Sequence, residues 1–236
     1  MRAAACAFAA ALLAALPAGA APVIAAATYD DPTTRYAHGV LGDAIEHGTL
    51  VLAFTDGSAR RFVLPESRVF EDTAPRLADL DTDGAPEVIV VESDQRRGAR
   101  LAVYGPNGLI TATPYIGTAN RWLAPIGAAD LDGDGTVDIA YVDRPHLARV
   151  LRVWRFENGQ LTEIAQDAGY SNHRIGEDFI TGGIRTCAGG PELVLPEARW
   201  QRLKAVRLEG NRLKARDAGA FDGPSSVAAA LACKER

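Results

Sequence analysis

The sequence predicts an all-β fold made of repeated units of antiparallel strands. Two observations lead there. Two acidic nonapeptides, DLDTDGAPE from Asp79 and DLDGDGTVD from Asp130, stand 51 residues apart. After each comes the same order of apolar β-prone runs, with a turn of Asn-Gly type near the end. Self-similarity at a period of about 20–50 residues is the signature of a repeat architecture. Composition agrees. The 236 residues are 47% hydrophobic and 23% charged, with a net charge of −5. That is enough apolar material to fill a core and too much for a disordered chain. The acidic balance argues against nucleic acid as a partner, which calls for a basic surface.

The elements follow in chain order. Residues 1–20 carry one charge, Arg2, then an Ala/Leu-rich run to Leu16 and the small residues Ala18, Gly19 and Ala20. This is the pattern of a signal peptide, with cleavage expected after Ala20 or as late as Ala27. The chain is thus expected in an exported, oxidising setting, periplasmic or secreted. No later stretch is apolar enough for a membrane span. A single domain, residues 28–236, is expected after the signal.

In the first clear unit the runs are Val88 to Val91, Leu101 to Tyr104 and Leu109 to Ile116, with the turn Pro106-Asn107-Gly108. In the second they are Ile139 to Val142, Val150 to Phe156 and Leu161 to Ala165, with the turn Glu157-Asn158-Gly159. Such turns between apolar runs signal hairpins. A degenerate third unit contains Leu193 to Leu195, Leu203 to Leu208 and the turn Glu209-Gly210-Asn211. A fourth is split. Val40-Leu41, Leu50 to Phe54, the turn Thr55-Asp56-Gly57 and Arg61 to Leu64 give its later strands. Its first strand is expected from residues 226–233, which would close a ring. Propensity alone would make that Ala-rich segment a helix. Four units of four strands make a small β-propeller, an architecture that leaves few open edges.

The acidic loops carry the chemistry. Asp79, Asp81, Asp83 and Glu87 occupy loop positions 1, 3, 5 and 9, as do Asp130, Asp132, Asp134 and Asp138. Gly84 and Gly135 at position 6 permit the sharp turn, and Ala85 and Thr136 at position 7 offer backbone carbonyls. Oxygen donors in that number suit Ca²⁺, so two structural ions are expected. An EF-hand is excluded, because its twelfth position needs a bidentate Glu and these loops have Val90 and Tyr141 there.

The D-x-D-x-D-G-x-x-[DE] pattern resembles the FG-GAP or VCBS-type repeat, as in the integrin α-subunit propeller. The resemblance implies a β-propeller, Ca²⁺ on one rim and use as an interaction module. In the two degenerate units, repeat position 4 is Cys187 and Cys233, where the acidic loops have Thr82 and Gly133. A Cys187–Cys233 disulfide is therefore expected where acids are lacking.

Motifs for catalysis are lacking. His38, His47, His146 and His173 show no zinc spacing, and no nucleophile elbow or P-loop occurs. Polar clusters at Tyr141, Asp143, Arg144 and His146, and at Asn172, His173 and Arg174, could form a rim surface. Trp122, Trp154 and Trp200 read as packing residues. The functional expectation is a monomeric, non-catalytic module that binds a protein or glycan. The rival is a propeller enzyme, a polysaccharide lyase or hydrolase, working in a central channel.

Overall fold

The structure is a computed structural model that describes residues 21–234. The expected signal segment, residues 1–20, lies outside the described residues. The first unit holds β1 (Ile24–Thr33), β2 (Glu46–Phe54) and β3 (Ala59–Val63), followed by a short β4 (Arg68–Phe70). The second holds β5 (Arg76–Ala78), β6 (Glu87–Asp94), β7 (Gly98–Gly105) and β8 (Gly108–Ala112). The third holds β9 (Leu123–Ala129), β10 (Asp138–Asp143), β11 (Val150–Glu157) and β12 (Gln160–Ala168). The fourth holds β13 (Gly183–Cys187), β14 (Gly190–Pro196), β15 (Arg202–Glu209) and β16 (Arg212–Ala220), and a helix, α1 (Pro224–Leu231), follows.

Every pairing is antiparallel. The third and fourth units are four-stranded meanders, and the first two merge into one eight-stranded sheet. The join is β4, which bonds to β2 on one side and β6 on the other. The second strands β6 and β10 are buried at every position, as their unbroken apolar runs demand. The last strand, β16, is largely exposed and carries Lys214 and Arg216, charges that discourage edge pairing. At the turn between β11 and β12, Asn158 and Gly159 both have positive φ, 51° and 70°. That is the geometry a two-residue hairpin needs, and the reason Asn-Gly occurs there.

Alternation along the buried strands sets the stacking. Val88 and Val90 pack with Leu50, Leu52 and Phe70 of the first unit. Their neighbours Ile89 and Val91 pack with Ile139 and Tyr141 of the third. Ala140 and Val142 then face Leu193 and Leu195 of the fourth. With a side-chain period of two, each central strand feeds one core on each face.

Two expectations are corrected here. Residues 226–233 are not a closing strand. Pro224 opens α1 after Gly223, and Val227 and Ala230 bury against Val194, Leu203 and Ala205 on the remaining face of the fourth unit. Pro in the first turn and the helix propensity of Ala prevailed over repeat register. Val40-Leu41 is likewise not a strand but part of the β1–β2 loop, and β1 itself supplies the missing neighbour of β2. The small and polar residues of β1 concealed it, since only Ile24 is fully buried.

The Cys187–Cys233 disulfide is present, with Cα atoms 6.0 Å apart. It ties the end of β13 to the chain just past α1, so it acts within the fourth unit and not between neighbouring units. Arg185 adds a second tie, donating to the Ala230 carbonyl. Removing the cross-link should be costly, since it closes a segment with a sequence separation of 46. A Cys187→Ser/Cys233→Ser variant is expected to lose about 4 kcal/mol on the chain-entropy account, read from urea denaturation midpoints.

Candidate metal centres and a histidine-lined pocket

The first acidic loop joins β5 to β6. Its carboxylates are ordered by backbone N–H groups. Gly84 donates to Asp79 Oδ2 at 3.0 Å, Asp83 to Asp81 Oδ1 at 3.2 Å and Ala85 to Asp83 Oδ1 at 2.8 Å. Leu80 donates to Glu87 Oε2 at 2.9 Å. Gly84 turns the chain at φ 91°. Oxygens of Asp79, Asp81 and Asp83 lie within 4.8 Å of one another, close enough to hold a metal ion. Burial raises the pKa of Glu87, and the charges of Asp81 and Asp83 raise it further. Crowded carboxylates of this kind call for a cation.

The second loop joins β9 to β10 and repeats the plan. Asp130 Oδ2 accepts from Gly135 at 2.9 Å, and Asp134 Oδ1 from Thr136 at 2.8 Å. Asp130, Asp132 and Asp134 again converge within 4.8 Å. Here the fold supplies a cation of its own. Arg155 on β11 reaches Asp132 Oδ2 at 3.0 Å, Asp134 Oδ2 at 2.6 Å and Asp138 Oδ1 at 3.0 Å. Burial raises the pKa of Asp138, and Arg155 opposes that. Yet Asp132 Oδ1 and Asp138 Oδ2 are buried with no hydrogen-bond partner. Buried oxygens left unpaired are costly and fit a metal ligand set.

The ninth-position acid opens or lies near the start of the second strand in three units, and its neighbours differ. Asp138 pairs across the ladder with Arg155, and Arg207 faces Glu192 one step from the Leu193–Val206 pair. The Val88–Tyr104 pair sets Gly105 opposite Glu87, where no side chain can reach. Glu192 is fully buried and takes bonds from three guanidiniums, Arg185 at 2.6 Å, Arg207 at 2.8 Å and Arg216 at 2.8 Å. Burial alone would raise its pKa, but Arg216, Arg185 and Arg207 outweigh that and hold it down to about 2. Sequence reading missed this series. Arg155 and Arg207 each stand two residues before a hairpin turn, and that repeated basic position was the available signal.

The opposite end of β10 leads into a pocket of about 380 Å³, with His38, Trp122, Arg144 and His146 among its walls. His38 Nδ1 is 2.6 Å from Oε1 of the fully buried Glu71, whose Oε2 accepts from the Ser93 hydroxyl. Burial raises the Glu71 pKa, and the hydrogen bond from His38 pulls it back. His173 Nε2 donates to the Glu177 carbonyl at 2.9 Å, so its Nδ1 accepts from His146 Nε2 at 3.0 Å. That chain leaves His146 Nδ1 as a bare acceptor. Burial lowers the His146 pKa to about 4 and keeps the ring neutral.

Of the two polar clusters read from sequence, the structure joins His146 to His173. Asp143 instead pairs with Arg144 and Arg152, and Asn172 Nδ2 bonds the Ala124 carbonyl. Tyr141 is core, where its hydroxyl accepts from Trp154 Nε1. Arg174 stacks 4.2 Å over Trp200. Trp122 is buried core and pocket wall at once, donating through Nε1 to the Glu71 carbonyl. The His38–Glu71 pair escaped sequence reading because 33 residues and a whole hairpin separate its members.

These features define an all-β repeat protein with acidic loops suited to cations. Residues 79–141, from the first acidic loop into β10, match the FG-GAP-like repeat, so the chain carries that repeat. No curated protein matches the chain.

The arginine cluster gives a direct test. Glu192→Gln leaves three guanidiniums around a neutral amide and should cost about 3–5 kcal/mol. Because the pKa of Glu192 falls from 4.5 to about 2 on folding, its contribution is complete above pH 4.5 and is lost as pH falls toward 2. Urea midpoints over that range should drop for the parent chain and lose much of that dependence in the variant.

Proposed function

We propose that this is an exported, Ca²⁺-stabilised protein of propeller type that serves as a non-catalytic binding module for a protein or glycan. The four units are read as blades in an array, with α1 covering the face of the last. The observation that carries the calcium reading is the pair of carboxylate triads, each set between the first two strands of a unit. The unpaired buried oxygens of Asp132 and Asp138 support it. Asp79, Asp81, Asp83 and Glu87, with the Ala85 carbonyl, would hold one ion. Asp130, Asp132, Asp134 and Asp138, with the Thr136 carbonyl, would hold the other. The hard oxygen donors favour Ca²⁺ over softer metals. Its part is to pin the turn that starts each second strand.

Export rests on the N-terminal pattern and agrees with the disulfide and with the lack, among the described residues, of a helix able to cross a membrane. Cleavage after Ala20 would leave β1 whole, whereas a cut after Ala27 would remove the buried Ile24. The enzyme reading draws support from the His38, His146 and His173 cluster. However, the carboxylate bonded to His38 is the buried Glu71, and among the described residues no second acid lines the pocket to complete the pair that glycosidic chemistry uses. Turnover of a polysaccharide that disappears in His146→Ala would favour the enzyme.

Arg155 makes the two cation sites unequal, and this is measurable. Calcium titration by calorimetry should show a tighter step at the first loop and a weaker one at the second. Asp81→Asn should remove the tighter step, and Arg155→Ala should tighten the weaker. At about 100 times Kd, each filled site adds about 2.7 kcal/mol to stability. A melting temperature unmoved by Ca²⁺ and by EDTA would refute the calcium reading.

A further inference from the structure

The pocket at the far end of β10 carries an inference that does not rest on calcium. The acidic loop precedes Asp138, the first residue of β10, while Arg144 and His146 follow Asp143, its last. Loops from three units meet here, and their chemistry is lopsided. The walls combine Trp122 and Val40 with Leu147 and Ile175, which are 63% and 72% exposed. Large aliphatic side chains held this open to water gain free energy when a ligand covers them.

The polar part of the wall has one sign. Arg121 forms no ion pair with any carboxylate among the described residues, and its guanidinium donates to the neighbouring Asn120 carbonyl. Arg144 is already bound to both oxygens of Asp143, which Arg152 shares. Among the described residues no acidic side chain lines the cavity, and the buried Glu71 stands behind His38 and is bonded to it. One uncompensated guanidinium matches a single negative charge, and a planar carboxylate suits its fork geometry. A cavity of about 380 Å³ is the size of a small-molecule site.

We propose that this pocket binds a small amphiphilic carboxylate, its apolar body against Trp122, Leu147 and Ile175 and its head paired with Arg121. His146 Nδ1 adds one acceptor, which favours ligands with a hydroxyl or amide N–H within reach of the ring. The His38–Glu71 pair fixes one wall, because Glu71 holds the imidazole by Nδ1 and is itself held by Ser93.

The test uses the full mature chain and three probes of equal length: decanoate, decanol and decylamine, each below its micellar concentration. Binding is followed by calorimetry and by the shift in melting temperature. Decanoate is expected to bind at least about tenfold more tightly than either of the others. Arg121→Ala should erase that preference, while Arg212→Ala, the same charge removed from the edge strand β16, should leave it intact. Leu147→Asp should weaken decanoate further. Equal binding of the three probes, decanoate affinity unchanged in Arg121→Ala, or no binding of decanoate would overturn the proposal. Repeating the titration in EDTA separates it from the calcium reading, since the preference should persist there.

Discussion

A buried carboxylate placed near the start of a central strand is the constraint on which this structure turns. Glu87, Asp138 and Glu192 occupy this place in three units, and each is largely or wholly removed from water. A carboxylate there needs a cation, or it takes up a proton instead. The units meet the need differently. The second unit has Gly105 opposite Glu87 and, among the described residues, no arginine bound to Glu87, so its acids lack an internal counter-charge. The third has Arg155 lodged among its acids. The fourth has lost its loop acids, holds its Glu with three arginines, and puts a disulfide where the cation loop would be. Along the chain, an acidic loop without an internal counter-charge gives way to internal charge pairing and then to a covalent tie.

The stacking follows from the same central strands. Their side chains alternate between two cores, so each unit needs a neighbour on both faces. The fourth unit has no fifth sheet beside it among the described residues, and α1 takes that role with Val227 and Ala230. A short helix with one apolar side can do this only if it is fastened. The disulfide and the Arg185–Ala230 bond fasten it near its C-terminal end. Arg185 thus serves two elements at once, since its other nitrogens hold Glu192.

What the sequence disclosed was local and periodic. The acidic loops, the Asn-Gly turns and the buried runs of β6 and β10 each lie within a dozen residues, and each was readable. The cysteine pairing was readable too, through repeat register, although the segment leading to Cys233 is a helix and not a strand. Register misled at residues 226–233, because a repeat argument carries no term for the helix propensity of an Ala-rich segment after Pro224. It failed again at β1, whose sequence IAAATYDDPT offers one large aliphatic residue, Ile24, before small and polar ones. The site chemistry that escaped was long-range. Arg155 meets Asp138 across 17 residues, and His38 meets Glu71 across 33. No spacing rule connects such pairs before the strands are placed side by side.

The division of the molecule into two ends has a physical origin. Antiparallel meanders return every connection to one of two rims, so features in alternate loops share a rim whatever their distance in sequence. The acidic loops and the strand-three-to-four turns share one, as shown by the cavity that Asp81 and Gly135 form with Asn158 and Gly159. The loops that hold His38, Trp122 and His146 share the other. The acidic loops on the first rim end where β6 and β10 begin, and each strand is buried along its length. Pocket walls at the far ends of these strands are therefore held by the same elements that the acidic loops lead into. Yet the two sites are separated by β10, a length over which neither set of charges meets the other directly. The fold can thus tune the loops toward ions, arginines or a disulfide without altering the charge of the pocket.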